Sequence, residues 1–472
     1  MIDLALFLFI MALLALGTRR PFLWVLTYIY IDILTPQRIG WSITPALPLS
    51  LIAFCAAFAG WLAVDSKRDM RVGVRQGLMV LLLAYAFLTT GWADFPEDAA
   101  HKWGWVWKAL VFAIFLPFTL TTRLRIEAAA LVMVLTAGAI IINGGLKTAL
   151  GGGGYASLYL FVNDNSGIYE SSTLSTVAIA IIPLILWFTR HGTVFLPDWR
   201  VKLFGYALVF ACLLIPVGTE ARTGLVCIAV LALVMLRDAK RRLMVLMAGG
   251  VLGLAALPFL PQTFYDRMET ITGHQQDMSA STRVAVWNWT LDYVEANPWG
   301  GGFDAYRGNK FTYELPVEEE AGETTTIVTR EEVTDEARAY HSAYFEVLGE
   351  QGWFGLTVWL LLHGLGLVQM EVLRRRWRMK AALDTGDGDA AAVTDGWQAP
   401  LASALQYGQI VYLVGSLFVG IAYQPFVLLF LALQIGLWNY CKTRESAARE
   451  TDRRARRARL RTKVAQTAAA PS

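Results

Sequence analysis

Residues 128–146 read Ala128-Ala129-Ala130-Leu131-Val132-Met133-Val134-Leu135-Thr136-Ala137-Gly138-Ala139-Ile140-Ile141-Ile142-Asn143-Gly144-Gly145-Leu146, without one charged side chain. As a helix this run covers about 30 Å, the hydrocarbon thickness of a bilayer. A helix buried in a water-soluble protein would be shorter and would keep a polar face. Outward from it the pattern recurs. Apolar runs fall near 2–17, 21–35, 47–64, 77–92, 105–120, 171–189, 203–218, 222–236, 243–259, 342–370, 404–422 and 425–441. The expected fold class is an all-α polytopic membrane protein of about 12–13 transmembrane helices. The lower count holds if the first two runs act as one unit broken around Thr18-Arg19-Arg20-Pro21. The chain has 472 residues, is 56% hydrophobic and 17% charged, and shows no second soluble domain.

The net charge of +3 says less than its distribution. Lys and Arg collect in one alternate set of loops: Arg19/Arg20, Lys67/Arg68/Arg71/Arg75, Arg123/Arg125, Arg190/Arg200/Lys202, Arg237/Lys240/Arg241/Arg242 and Arg374–Lys380. The positive-inside bias makes that set cytoplasmic. The other set then faces outward, to the periplasm of a Gram-negative cell. The expected division is ten helices in 1–259, a large periplasmic loop at 260–341, C-terminal helices in 342–441 and a basic cytoplasmic tail at 442–472. Residues 381–397 read as a flexible linker. The tail, with Arg453-Arg454-Ala455-Arg456-Arg457, reads as a helix near anionic headgroups or a solvated charged segment, with no nucleic-acid partner.

Several classes are set aside. Met1–Gly17 has no basic lead and no small-residue cleavage site, so it reads as a retained span. Cys55, Cys212 and Cys227 lie in apolar runs and Cys441 ends one, which suits buried small hydrophobes and neither a disulfide nor a metal site. There is no Gly-rich phosphate loop and no serine elbow. Asp94, Glu97, Asp98 and His101 read as an exposed outer loop, and Asp387-Gly388-Asp389 as part of the linker. The span centres look almost free of charge, Asp32 being an exception, which favours surface chemistry over a central transport cavity.

The outward loop holds fifteen Asp/Glu against six Lys/Arg, so its few arginines stand out. Arg283 follows Ser281-Thr282, which resembles a helix cap, and Val284, Trp287, Leu291 and Val294 recur at helical spacing up to Asn297-Pro298. The expectation is a short amphipathic helix on the membrane surface with Arg283 in its first turn, where an anion would be welcome. Arg222 sits at the outer end of the Thr219–Gly224 hairpin, with Thr219 available as cap. It is either a snorkelling side chain paired with Glu220 or a phosphate ligand. His341, behind Arg338 at the mouth of a span, titrates near neutrality and can take a proton from an attacking hydroxyl. Its surroundings lack a second histidine at metal-binding spacing.

Together, Arg283-x3-Trp287, Asn297-Pro298-Trp299-Gly300-Gly301-Gly302 and His341 with Glu346…Glu350-Gln351-Gly352-Trp353-Phe354-Gly355-Leu356 resemble the O-antigen ligase and polymerase superfamily. The Thr219–Gly224 hairpin matches the place where that family keeps an arginine between two spans. Where the family usually has His-Asn, this chain has His341-Ser342. The N-terminal stretch Arg19-Arg20-Pro21-Phe22-Leu23-Trp24, with Tyr28–Asp32 and Pro36–Trp41, resembles an exosortase-associated subgroup of O-glycosylation ligases. The resemblance implies a GT-C-like bundle with a periplasmic loop over a groove, and a glycan donor on undecaprenyl pyrophosphate. It implies a hydroxyl-bearing acceptor (lipid, protein or glycan) and no cofactor or metal. Arg222, Arg283 and Arg338 would hold the pyrophosphate, and His341 would serve the acceptor. A polymerase of lipid-linked repeat units is the sibling reading; a transporter of lipid-linked sugars, with no bond chemistry, belongs to another class.

Overall fold

The computed structural model describes residues 2–67, 70–151, 158, 161–162, 166–238, 242, 247, 278–320, 326–384 and 396–468. The helices are α1 (Ile2–Gly17), α2 (Phe22–Leu34), the short α3 (Pro36–Ile39) and α4 (Ile43–Ala46), α5 (Leu49–Val64), α6 (Val74–Thr89), α7 (Pro96–Thr119), α8 (Arg123–Ala149), α9 (Ser171–His191), α10 (Trp199–Gly218), α11 (Arg222–Leu236), α12 (Met278–Ala296), α13 (Ala343–Asp384), α14 (Gln398–Gly415) and α15 (Pro425–Ala468). Strands β1 (Lys310–Glu320) and β2 (Thr326–Glu336) form one antiparallel hairpin. The protein is an all-α polytopic membrane protein. Among the described residues six helices are long and apolar enough to cross a bilayer, and α1, α2, α5 and α11 are apolar but shorter. Most of the expected 243–259 span and all of 260–277 lie outside the described residues, as do Gly152–Gly154 and Asp387–Asp389.

Helix starts follow local chemistry. Glu170 caps α9 by accepting from Thr173 N at 2.5 Å, and Asp198 caps α10 by accepting from Val201 N at 2.8 Å. α9 is buried along nearly its whole length and packs against α10, α11 and α14. It is the axis of the bundle. A helix apolar all round belongs in such a place.

Three expectations are corrected. The run at 404–422 is helical only as Gln398–Gly415; the rest is turn up to Pro425. Glu97, Asp98 and His101 are not loop residues, because Pro96 starts α7 ahead of them. Arg75 is not a loop cation. It is 1% exposed, donates to Gln434 Oε1 at 2.8 Å, and lies in a chain that continues through Gln409 to His363. The span interiors therefore carry more polarity than the sequence suggested. The segment between α12 and α13 contains the hairpin, with Lys310 opposite Glu336 and Glu320 opposite Thr326.

A break in one helix organises the end of the bundle that carries His341. α13 is broken at Gly352, whose φ of 62° and ψ of −167° suit glycine alone. A Cβ there would lie 2.2 Å from Pro298 O. The glycine turn after α12 is sewn onto this break: Gly301 N donates to Gly349 O and Gly302 N to Glu350 O, both at 3.0 Å, and Trp353 N donates to Pro298 O at 3.1 Å. The glycines thus let two backbones touch.

Candidate active site

His341 sits just before α13, exposed, in the left-handed backbone region with φ 47°. A histidine held there carries a conformational cost that its neighbours must offset. They hold it from both sides. Trp287 Nε1 donates to Tyr340 O at 2.9 Å, and the Trp287 ring stacks on Phe345 at 5.0 Å. Ala343 N donates to Ser416 O at 2.8 Å. Asn309 clasps Arg338, three residues before His341, donating to Arg338 O at 2.7 Å and accepting from Arg338 N at 2.9 Å.

The charges around the imidazole come from three separate elements. Partial desolvation holds its pKa below the ordinary histidine value; Arg283 and Arg338 push the same way, and Glu170 pushes back. The neutral ring, able to accept a proton, is thereby favoured near pH 7. Arg338 also pairs with Asp335 at 2.6 Å, and Glu170 accepts from Thr173 Oγ1 at 2.7 Å.

The structure brings Arg283, Arg338 and His341 into one electrostatic group. It does not place Arg222 among the charges acting on His341. Arg222 is half-buried and opens α11 at the end of the bundle where Thr219 Oγ1 meets Ser175 Oγ at 2.9 Å. Thr219 closes α10 and is not the cap of the Arg222 helix; Ala221 stands there. Arg283 is not in a first turn either, since α12 begins at Met278. Its position at the site comes from tertiary packing and not from a helix N-terminus. The buried face of α12 is Val286, Thr290 and Val294, whereas Val284 and Leu291 are exposed; the helix docks on α13.

Directly behind this group lies a second one. Lys102 Nζ is 2.8 Å from Glu346 Oε1, 2.6 Å from Glu350 Oε1 and 3.4 Å from Asp304 Oδ1. Glu350 is fully buried and also accepts from Asp304 N at 3.0 Å, and Glu346 accepts from Ala422 N at 3.0 Å. One ammonium thus ties α7, the glycine turn, α13 and the 416–424 turn together. Lys102 and Glu170 escaped the sequence reading. The available signal for Lys102 was a lysine on the outer side, against the bias, and two carboxylates one turn apart at the start of a span.

With this geometry in place, comparison with known proteins has a frame. A family model described as O-antigen ligase matches residues 207–360. Residues 207–360 form an O-antigen ligase family domain. A second family model, of a family of unknown function (DUF5935), matches residues 1–193. No curated protein matches the chain. The ligase domain contains Arg222, Arg283, Arg338, His341, Glu346 and Glu350, while Lys102 and Glu170 come from the segment matched by the other family. The ligase domain therefore does not build the His341 end of the bundle alone. A multi-pass membrane setting and transfer of a lipid-linked glycan fit both the domain and the helices.

Proposed function

We propose that this protein moves a glycan from undecaprenyl pyrophosphate in the outer leaflet to an acceptor hydroxyl, with inversion at the anomeric carbon. The observation that supports the proposal is that Arg283 and Arg338 both act on His341, all three within the ligase domain. The hydroxyl oxygen bonds to the anomeric carbon while the bond from that carbon to the pyrophosphate oxygen breaks. The bonding pair leaves with undecaprenyl pyrophosphate. The hydroxyl proton passes to the neutral imidazole of His341 and then to water. Arg283 and Arg338 stabilise the charge developing on the leaving oxygen, with Arg222 holding the donor from α11. Arginine is permanently charged and fits phosphate geometry, so the scheme needs no metal. The N-terminal segment supports an exosortase-associated setting by the residues quoted for it, Arg19–Trp24 and Tyr28–Asp32.

The test is a gel of lipid-linked glycans from cells whose only copy carries His341→Ala. Long finished chains accumulating on the lipid, at normal protein level, support ligation. Single repeat units would mark a polymerase. Lipid-linked units held in the inner leaflet would mark a transporter, and an unchanged pattern would remove His341 from the chemistry.

A further inference from the structure

The end of the bundle opposite His341 contains a cavity of about 600 Å³, whose polar lining includes Arg71, Arg125, Arg444, Thr121, Thr122 and Asn439. We propose that it binds the phosphate headgroup of one anionic phospholipid from the cytoplasmic leaflet. The proposal rests on the positive-inside orientation and not on the transfer reaction.

The charges on its wall do not cancel. Arg125 is committed to Asp65 by two bonds, Nη1 to Oδ2 at 2.5 Å and Nη2 to Oδ1 at 2.7 Å. That pair is neutral. Arg71 and Arg444 remain, both exposed, and among the described residues no ion pair joins either to a carboxylate. The cavity thus has an excess of two cations, enough to hold a phosphodiester. Its shape is fixed by the fold. Asn439 Nδ2 donates to Arg71 O at 3.2 Å, fastening the segment before α6 to α15, and the Arg444 guanidinium lies 5.2 Å from the Tyr440 ring centre. Lys67 Nζ donates to Trp61 O and Leu62 O at 2.6 and 2.7 Å, closing the end of α5. Thr121 and Thr122 precede α8, so the amide groups of its first turn add positive potential.

The cavity also has apolar walls suited to a lipid. Val64 and Met70 line it and are 65% and 44% exposed, and Phe118 and Leu120 contribute further apolar surface. A free phosphate would find no use for these. A basic pocket between spans on the cytoplasmic side is the chemistry that recognises acidic headgroups.

The experiment is native mass spectrometry of the full chain exchanged into detergent with equimolar phosphatidylglycerol and phosphatidylethanolamine. We expect one phosphatidylglycerol to be retained in preference. Arg71→Gln with Arg444→Gln should lower that preference roughly 20–30-fold, at about fivefold for each cation near the surface. The double variant should melt like wild type in lipid-free detergent and lose only the rise in melting that phosphatidylglycerol gives. Should the double variant melt lower without lipid, Arg444→Gln alone decides, with a loss of about fivefold expected. Equal retention of both lipids, or a wild-type ratio in the deciding variant, overturns the proposal. So does displacement of phosphatidylglycerol by an equal concentration of inorganic phosphate, which would mark a site for soluble phosphate.

Discussion

Two charged groups flank Tyr340 and are built in opposite ways. The His341 group lies at the surface, draws on Arg283, Arg338 and Glu170, and holds its histidine in a costly backbone conformation. The Lys102 group is buried, gathers three carboxylates on one ammonium, and is bonded into four elements. Tyr340 joins them: its carbonyl anchors Trp287, and its ring packs against Gly349 beside Glu350. The difference teaches what each group is for. Buried charges depend on fixed partners, here one another and the backbone N–H groups of Asp304 and Ala422, so they fix geometry. Charges at the surface can exchange water or a neighbour for a substrate.

The largest effect should come from breaking the buried group. Lys102→Met leaves three carboxylates without their cation, and loss of one buried partner costs about 3–5 kcal/mol. Thermal melting in detergent should fall sharply, and whatever protein stays folded should keep the wild-type pH profile. A variant that melts normally would show the cluster to be dispensable for stability. Next in size is Arg283→Ala. If this arginine stabilises leaving-group charge, the rate of transfer should fall by about 10²–10³. Melting should stay unchanged, because the side chain is only half-buried. A fall in melting equal to that of Lys102→Met would erase the distinction between the two groups.

Much of the fold was legible because the bilayer imposes a length on each apolar run. α8 and α9 extend the expected spans by a few residues, and α11 matches its run. What escaped depends on partners far away in the chain. Arg75 reads as one more cytoplasmic cation until Gln434 is placed beside it. Lys102 does not stand out on its own until Glu346 and Glu350 close on it. The hairpin escaped for another reason. Thr326-Ile327-Val328-Thr329 and Val333-Thr334 carry a β-branched signal, but it is diluted by the acidic residues on the strands themselves, Glu318-Glu319-Glu320 and Glu331-Glu332 among them. Residue type and place in the chain single out His341, Arg283 and Arg338 as candidates. The capping of Arg283 was misjudged because Ser281-Thr282 suits a helix start that the chain makes earlier, at Met278.

The seam between the groups offers a smaller perturbation. Gly352→Ala forces a side chain into a backbone region reserved for glycine, at about 1–3 kcal/mol. The added Cβ would also meet Pro298 O at 2.2 Å. Melting should drop by less than in Lys102→Met, and transfer should drop with it, because the glycine turn and the start of α13 move together. Loss of activity without any loss of melting would place the turn in the chemistry itself.

The smallest effect is the most specific, and it is read in pH. His341 accepts a proton only while neutral, so the rate falls as pH drops through its pKa. Partial desolvation together with Arg283 and Arg338 holds that pKa below the ordinary value, which keeps the base competent under mildly acidic conditions. Removing a cation favours the protonated ring and raises the pKa. The residual activity of Arg283→Ala should therefore fail at a higher pH than wild type, with the acid limb moving up by less than about one unit. Glu170→Gln removes the opposing charge, so its limb should move down. The two variants must shift in opposite directions if these charges act on one titrating ring. Identical acid limbs in wild type and both variants would mean that His341 is not the group whose protonation stops the reaction. Lys102→Met should leave the limb in place, because the charges acting on the ring are those of the outer group.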